Sequence, residues 1–244
     1  MKTIITSCLL WIAPSLFAQE IVNIVLVGDK GVTEKVAEAT AFILVKKYPE
    51  KYQRIDYKMH APIQKIRTYT DSTLTILDGA YYEYSVDGAI FKSGYYSRNE
   101  KCKDWYYYND TGKVILEEKY EHDVLIKTIN PDTIKVSSPK DSALKDDGTE
   151  AVYKKGNGDW IKYLTKNLNA DVGNQSLAGG QVRVMFTVTK EGKCVEVHMK
   201  KSVEYVLDEE AIRIIEQSPV WQPAIQYGKK VNAYRVQPLT FVKE

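Results

Sequence analysis

Two kinds of alternation run through the chain. Near the C-terminal end Val182, Val184, Phe186 and Val188 fall on one face of an extended segment, with Arg183, Thr187 and Thr189 on the other. That period of two marks a strand buried on one side. Lys190-Glu191-Gly192-Lys193 turns the chain, Gly192 supplying a positive φ. A second alternation, Val195, Val197 and Met199 inward against Glu196, His198 and Lys200 outward, completes a predicted hairpin. Leu207, Ala211, Ile214 and Ile215 then recur at helical spacing, with Asp208 as the predicted N-cap. Pro219 ends that helix, because the residue before a proline is pushed out of the α region. After Trp221-Gln222-Pro223-Ala224 and a turn at Gly228, a last strand is predicted from Val231 to about Val242. Upstream of all this, Gly156-Asn157-Gly158 precedes a predicted helix from Asp159 to Leu168.

From Ile21 to about Lys127 the pattern is strand-like and rich in tyrosine, and it repeats itself. The stretch Gly79 to Ile90 is echoed by Lys103 to Val114, so that Tyr82 corresponds to Tyr106, Tyr84 to Tyr108, Gly88 to Gly112 and Tyr96 to Tyr120. Each copy reads as an aromatic strand, an Asp/Asn-Gly turn, a second strand and a closing tyrosine; Ile55 to Thr70 is a candidate third copy. Between the two regions, Asn130 to Glu150 holds Pro131, Ser137-Ser138-Pro139 and Lys145-Asp146-Asp147-Gly148, with few apolar anchors, and reads as a linker.

The order strand, strand, helix, strand resembles the TonB C-terminal domain. The residues that carry the likeness are Val182 to Val188, the Glu191-Gly192 turn, Leu207 to Ile212, Ser218-Pro219-Val220-Trp221-Gln222-Pro223-Ala224, the Gly228-Lys229-Lys230-Val231 turn and Pro238-Leu239-Thr240-Phe241. The tyrosine-rich part resembles MORN-type and YwqK-type hairpin repeats, which stack into an elongated sheet. Together they imply an α+β chain: an elongated antiparallel β-hairpin module over residues 19–129, a linker over 130–150, and over 151–244 a small domain of three antiparallel strands and two helices. Two features depart from the TonB pattern. The Tyr-Pro pair that related domains carry after the first helix is replaced by Asn169-Ala170-Asp171, and Arg235 and Gln237 interrupt the apolar alternation of the last strand.

Composition adds the compartment. Met1-Lys2-Thr3 followed by Ile4 to Phe17 and Leu16-Phe17-Ala18 reads as a signal peptide over residues 1–18, cleaved before Gln19. Its apolar run, broken by Pro14, is short for a bilayer span, so a periplasmic protein is expected, or an inner-membrane anchored one if the segment stays uncleaved. Cleavage leaves Cys102 and Cys194, read as two separate thiols. A formal charge of +2 gives no reason to expect nucleic acid as a partner.

Chemistry is thin. His60, His122 and His198 lie far apart without metal-ligand spacing, and His198 beside Glu196 reads as a solvated pair. Asp208-Glu209-Glu210 sits at a helix start, where the dipole favours acids without any catalytic purpose. Gly179-Gly180 precedes a strand, so it is no phosphate loop. No catalytic residue, metal site or cofactor is expected, and the chain reads as a non-enzymatic binding protein. The functional expectation rests on the last strand. Pro238 cannot donate to a ladder, which makes the strand an edge or bulges it there. TonB-like domains capture an extended peptide of an outer-membrane receptor on this strand by β-augmentation, which points to Asn232, Tyr234, Arg235, Val236 and Gln237 as the peptide-binding residues. The partner implied is a TonB-dependent receptor or another envelope protein. The open alternatives are an edge kept soluble with nothing bound, a homodimer through the C-terminal domain, an envelope scaffold binding protein or glycan through the tyrosines, and an anchored energy transducer.

Overall fold

The computed structural model describes residues 20–131, 148–154, 156–169 and 171–244. The predicted signal peptide and most of the predicted linker lie outside them. Ten strands form one antiparallel sheet: β1 (Glu20–Gly28), β2 (Gly31–Val32), β3 (Ala39–Tyr48), β4 (Lys51–Lys58), β5 (Ile63–Tyr69), β6 (Leu77–Tyr84), β7 (Ile90–Ser97), β8 (Glu100–Tyr108), β9 (Val114–Glu121) and β10 (Val124–Ile129). Its order is β10-β9-β8-β7-β6-β5-β4-β3-β1-β2, so apart from β2 each strand pairs with its neighbour in sequence. The period-two alternation becomes a cross-strand row: Leu44, Ile55, Ile66, Tyr82, Ser93 and Tyr106 stand in register on one face.

The sequence echo has a geometric counterpart in both kinds of turn. Gly88 and Gly112 take φ +83 and +78, each closing back on the residue three before it. At the other end of the hairpins, Asn99 Oδ1 accepts from the Leu77 N–H (2.7 Å) and Asp123 Oδ1 from that of Lys101 (2.6 Å). On the opposite face of the sheet Trp105 is fully buried, lying on Gly94, ringed by Tyr81, Tyr96 and Tyr120 and covered by Lys92 and Lys101.

The C-terminal part holds α1 (Asn157–Asn167), α2 (Val172–Gln175), β11 (Gly180–Val188), β12 (Cys194–Lys201), α3 (Tyr205–Glu216), β13 (Ala224–Gln226), β14 (Lys229–Val231) and β15 (Ala233–Phe241). Its sheet runs β12-β11-β15. Among the described residues the helix count is three rather than two, the extra one being the single turn of α2. Trp221 is a core ring, as its neighbours require: it packs on Tyr153, Trp160 and Phe186.

Three sequence readings need correction. A bulge at Glu196, whose φ is +54, shifts the phase of β12. Val195 is therefore opposite Thr187 and leaves the helix-covered face, while Cys194 and Met199 stand opposite Val188 and Val184 on it. The helix begins at Tyr205 with Glu204 at the N-cap, and Asp208 lies inside it, turned back to accept from the Val203 N–H at 3.1 Å. The final strand is broken at Asn232, so that Val231 belongs to the small β13–β14 ribbon.

The two sheets share one core. The edge of β12 runs into the face of the ten-stranded sheet that carries the Leu44–Tyr106 row. Ala89 forms an antiparallel bridge with Lys201, and the Ser202 N–H donates to the Gly88 carbonyl at 2.9 Å. The Tyr84 hydroxyl donates to the Met199 carbonyl (2.7 Å), and the Ile63 N–H to Ser202 Oγ (2.8 Å). Phe42 and Tyr57 stack at 5.0 Å, with Tyr205 edge-on to both.

The repeat supplies its own control for this docking. Gly88 and Gly112 share a left-handed conformation, but a Cβ at Gly88 would stand 2.0 Å from the Ser202 carbonyl oxygen, whereas one at Gly112 would meet nothing. Gly112→Ala is expected to cost about 1 kcal/mol of unfolding free energy from backbone strain alone. Gly88→Ala adds a clash at the junction and is expected to cost roughly 2–4 kcal/mol. Urea denaturation of the two variants measures the difference; equal losses would mean that the junction contributes nothing.

Candidate functional site

β15 pairs with β11 at nine consecutive positions, from Gly180↔Phe241 to Val188↔Ala233, without a register shift. Pro238 is accommodated opposite Arg183 without a bulge, which leaves the edge reading of that proline. On its other flank no strand among the described residues pairs with β15. The sheet's second edge, β12, is the one turned into the hairpin sheet.

Along β15 the side chains divide as the alternation predicts. Ala233, Arg235, Gln237, Leu239 and Phe241 stand on the face of Val184 and Phe186, and the last two are buried. Arg235 and Gln237 are tolerated on that face because α3 lies over β12 and β11, leaving the β15 margin half exposed. Tyr234 and Val236 point the other way and are exposed, Tyr234 by 78 %. Asn232 lies just before the strand, and its Oδ1 accepts from the Lys190 N–H at 2.9 Å, tying the start of β15 to the β11–β12 turn.

Sequence reasoning missed the segment beside this edge. Thr149 and Ile225 exchange two main-chain hydrogen bonds of 2.9 Å, and Val152 and Gln222 exchange bonds of 3.0 and 2.8 Å. The stretch read as the end of a linker is thus tied by a main-chain bridge at Thr149 to β13, and Val152 just after it is bridged to Gln222. Glu150 from it forms an ion pair with Arg235. A cleft of about 360 Å³ opens between Gly148–Ala151 and Asn232–Arg235, along the first half of β15. Only the brief apolar spacing of Ala151 and Tyr153 hinted at it, too short for a period to show.

The acids at the start of α3 are committed to structure. Asp208 is fully buried and accepts from Ser202 Oγ and from the Tyr57 hydroxyl (3.3 Å). Glu209 takes the buried Lys46 ammonium at 2.6 Å. Glu210 holds Arg213 at 2.7 Å and accepts from the Asn169 N–H at 2.8 Å. His198 is not a solvated residue: it stacks on Tyr82 at 4.4 Å, and burial holds its pKa below the ordinary value. Its Nδ1 lies 2.7 Å from the Glu196 carbonyl, which places the proton on Nδ1. Cys102 and Cys194 are free thiols on β8 and β12. Among the described residues no group of three or more His, Cys, Asp or Glu could hold a metal ion, and no helix is long and apolar enough to cross a membrane.

Residues 175–242, from the end of α2 to just past β15, match the family described as Gram-negative bacterial TonB protein C-terminal. The match stops short of the hairpin sheet. No curated protein and no solved structure matches the chain. The C-terminal module is thus TonB-like, of an envelope family that binds proteins and transduces energy and is not known for catalysis.

Burial raises the Asp208 carboxyl from 3.8 to about 7, against the hydrogen bonds from Ser202, Val203 and Tyr57 that pull it down. The folded chain therefore holds this proton more tightly than the unfolded chain. Its contribution to stability is full near pH 4, declines as the pH rises to about 7, and is level above that. Asp208→Asn removes this dependence, so the variant is expected to gain on the wild type between about pH 4 and pH 7, by up to roughly 4 kcal/mol. Denaturation curves of both proteins at several pH values measure the gap; a constant gap would mean that the buried carboxyl does not titrate there.

Proposed function

We propose that this chain is a non-enzymatic binding protein of the cell envelope, and that the open flank of β15 takes up an extended peptide as an additional strand. The observation that carries the reading is the unequal fate of the two edges: β12 is turned into the chain's own hairpin sheet, and β15 keeps an unpaired flank within a TonB-like module. Main-chain hydrogen bonds supply the affinity in such an arrangement, and side chains at alternate positions supply the selectivity. Tyr234 and Val236 meet the peptide on one face, while Arg235 and Gln237, with Glu150 beside them, meet it on the other. The partner in this reading is the N-terminal segment of an outer-membrane receptor, and the protein works in the periplasm.

A scaffold that binds through its tyrosines is the weaker reading, since Tyr57, Tyr82 and Tyr84 are already engaged by Tyr205, His198 and Met199. In the reading adopted here, the MORN-like hairpin sheet is a spacer that carries and shields the C-terminal module.

Titration of the isotope-labelled chain with receptor N-terminal peptides, followed by amide chemical shifts, is expected to move signals from Ala233 to Phe241 and leave β12 still. Tyr234→Ala is expected to weaken the peptide about tenfold, a cost typical of an exposed tyrosine recruited to an interface, with no change in melting temperature. Light scattering across a range of concentrations distinguishes peptide uptake from pairing of two β15 edges in a homodimer. Saturation by peptide without movement along β15 would remove this assignment.

A further inference from the structure

The face of the hairpin sheet turned away from the Leu44–Tyr106 row carries a groove of about 390 Å³. That lies within the range of small-molecule sites, about 300–1,000 Å³. One end of it is apolar. Val27 of β1 stands opposite Ala41 of β3, with Ile43 beside them, and all three are half-buried. The alternation that sends Leu44 and Ile55 to the face met by the C-terminal module sends Ile43, Arg54 and Asp56 to this one.

The other end is charged, and its charges do not balance. Arg54 and Arg67 stand directly opposite each other on β4 and β5. Like charges in that relation repel unless an anion lies between them. Asp56 serves both: it takes Arg54 Nε at 2.8 Å and pairs with Arg67 Nη2. Lys65, on the same face of β5, has its own partner in Glu83 at 3.2 Å. Arg54, Lys65 and Arg67 are thus answered by Asp56 and Glu83, and the surplus positive charge falls on the two arginines. Donors are in surplus as well. Each guanidinium carries five N–H groups, and Asp56 engages one nitrogen of each. Among the described residues Arg67 Nε is buried with no acceptor. Both side chains remain within reach of solvent, Arg54 by 30 % and Arg67 by 25 %.

We propose that this groove binds a small acid with an apolar chain, its carboxylate on Arg54 and Arg67 and its chain along Ile43, Ala41 and Val27. A planar carboxylate matches the guanidinium fork and takes two parallel hydrogen bonds from it. Asp56 is outweighed, since one arginine cancels it and the other remains. An amine of the same length would bring a further cation to the arginines. An alcohol would fill the apolar end equally well and leave the surplus charge unanswered.

The test is calorimetric titration of the full chain at pH 7 with octanoate, n-octylamine, 1-octanol and acetate. Octanoate is expected to bind at least about tenfold more tightly than each of the others, acetate failing for want of a chain. Arg54→Gln keeps the Arg67–Asp56 pair and removes the surplus charge, and it is expected to abolish the preference for octanoate over octanol. Gln64→Glu, at an exposed position on the groove wall, brings a tethered carboxylate into the groove. It is expected to weaken octanoate roughly threefold. Circular dichroism confirms that both variants are folded. Equal affinity for octanoate and octanol, no saturable octanoate binding, or a preference that survives in Arg54→Gln would overturn the proposal, as would octanoate binding unchanged in Gln64→Glu. None of these outcomes bears on peptide uptake at β15.

Discussion

The contact on which the molecule depends is the approach of the β12 end to the β6–β7 turn, where Ser202 donates to the Gly88 carbonyl and Ala89 bridges to Lys201. Only a residue without a side chain fits at Gly88, because the Ser202 carbonyl occupies the place of a Cβ. Once this main-chain join is made, the rest of β12 must run into the tyrosine face of the hairpin sheet. Its polar groups must then find partners without water. The solution is visible residue by residue. Tyr84 satisfies the Met199 carbonyl, Ser202 satisfies the Ile63 amide, and Tyr57 and Ser202 converge on Asp208. Eighteen tyrosines against five phenylalanines make sense in this light. A ring that packs and a hydroxyl that donates suit a sheet face that is to be covered by another module.

The same burial engages the acids at the start of α3. Lys46 and Glu209 are taken from water as a pair, and a pair of this kind returns little net stability. What it provides is position: a lysine from β3 and a glutamate from α3 meet only in one docking register. Breaking it would strand a charge inside the junction, which penalises other arrangements of the two sheets.

Much of the fold was legible, and the misses have common causes. Strands and hairpins followed from period-two alternation, and the echo of Gly88 in Gly112 foretold two turns of one geometry. The inward row of β15, including Arg235 and Gln237, was read correctly because nothing shifts its register. In β12 the inward places of Val197 and Met199 were read correctly, but Val195 was not, because Glu196, in the left-handed region, inserts an extra position that no pattern of apolar residues announces. His198 and Asp208 were misjudged for a different reason. Both are polar residues that sequence alone places at a surface, and both lie under a module more than a hundred residues away in the chain. The candidate site was legible as a strand and as an edge, but not in its surroundings. Glu150 and the Thr149–Val152 pairing come from a stretch too short and too polar to show a period.

A three-stranded sheet has two edges, and an exposed edge is a hazard as well as an opportunity. This chain treats them unequally. The hairpin sheet covers β12, and a chain stripped of that sheet would present the β12 flank, with Val195 and Val197, to any passing strand. The flank of β15 is protected more lightly, by the half-exposed Arg235 and Gln237, by Pro238, and by Glu150 held against Arg235. Charge and proline discourage indiscriminate pairing without filling the hydrogen-bonding positions. The contact of Glu150 with Arg235 is weak, since Glu150 itself is 83 % exposed, and in the proposed reading an incoming strand with matching side chains displaces it. In the proposed reading the ten-stranded sheet thus acts on recognition indirectly: by occupying one edge, it leaves the other as the place where a second chain adds.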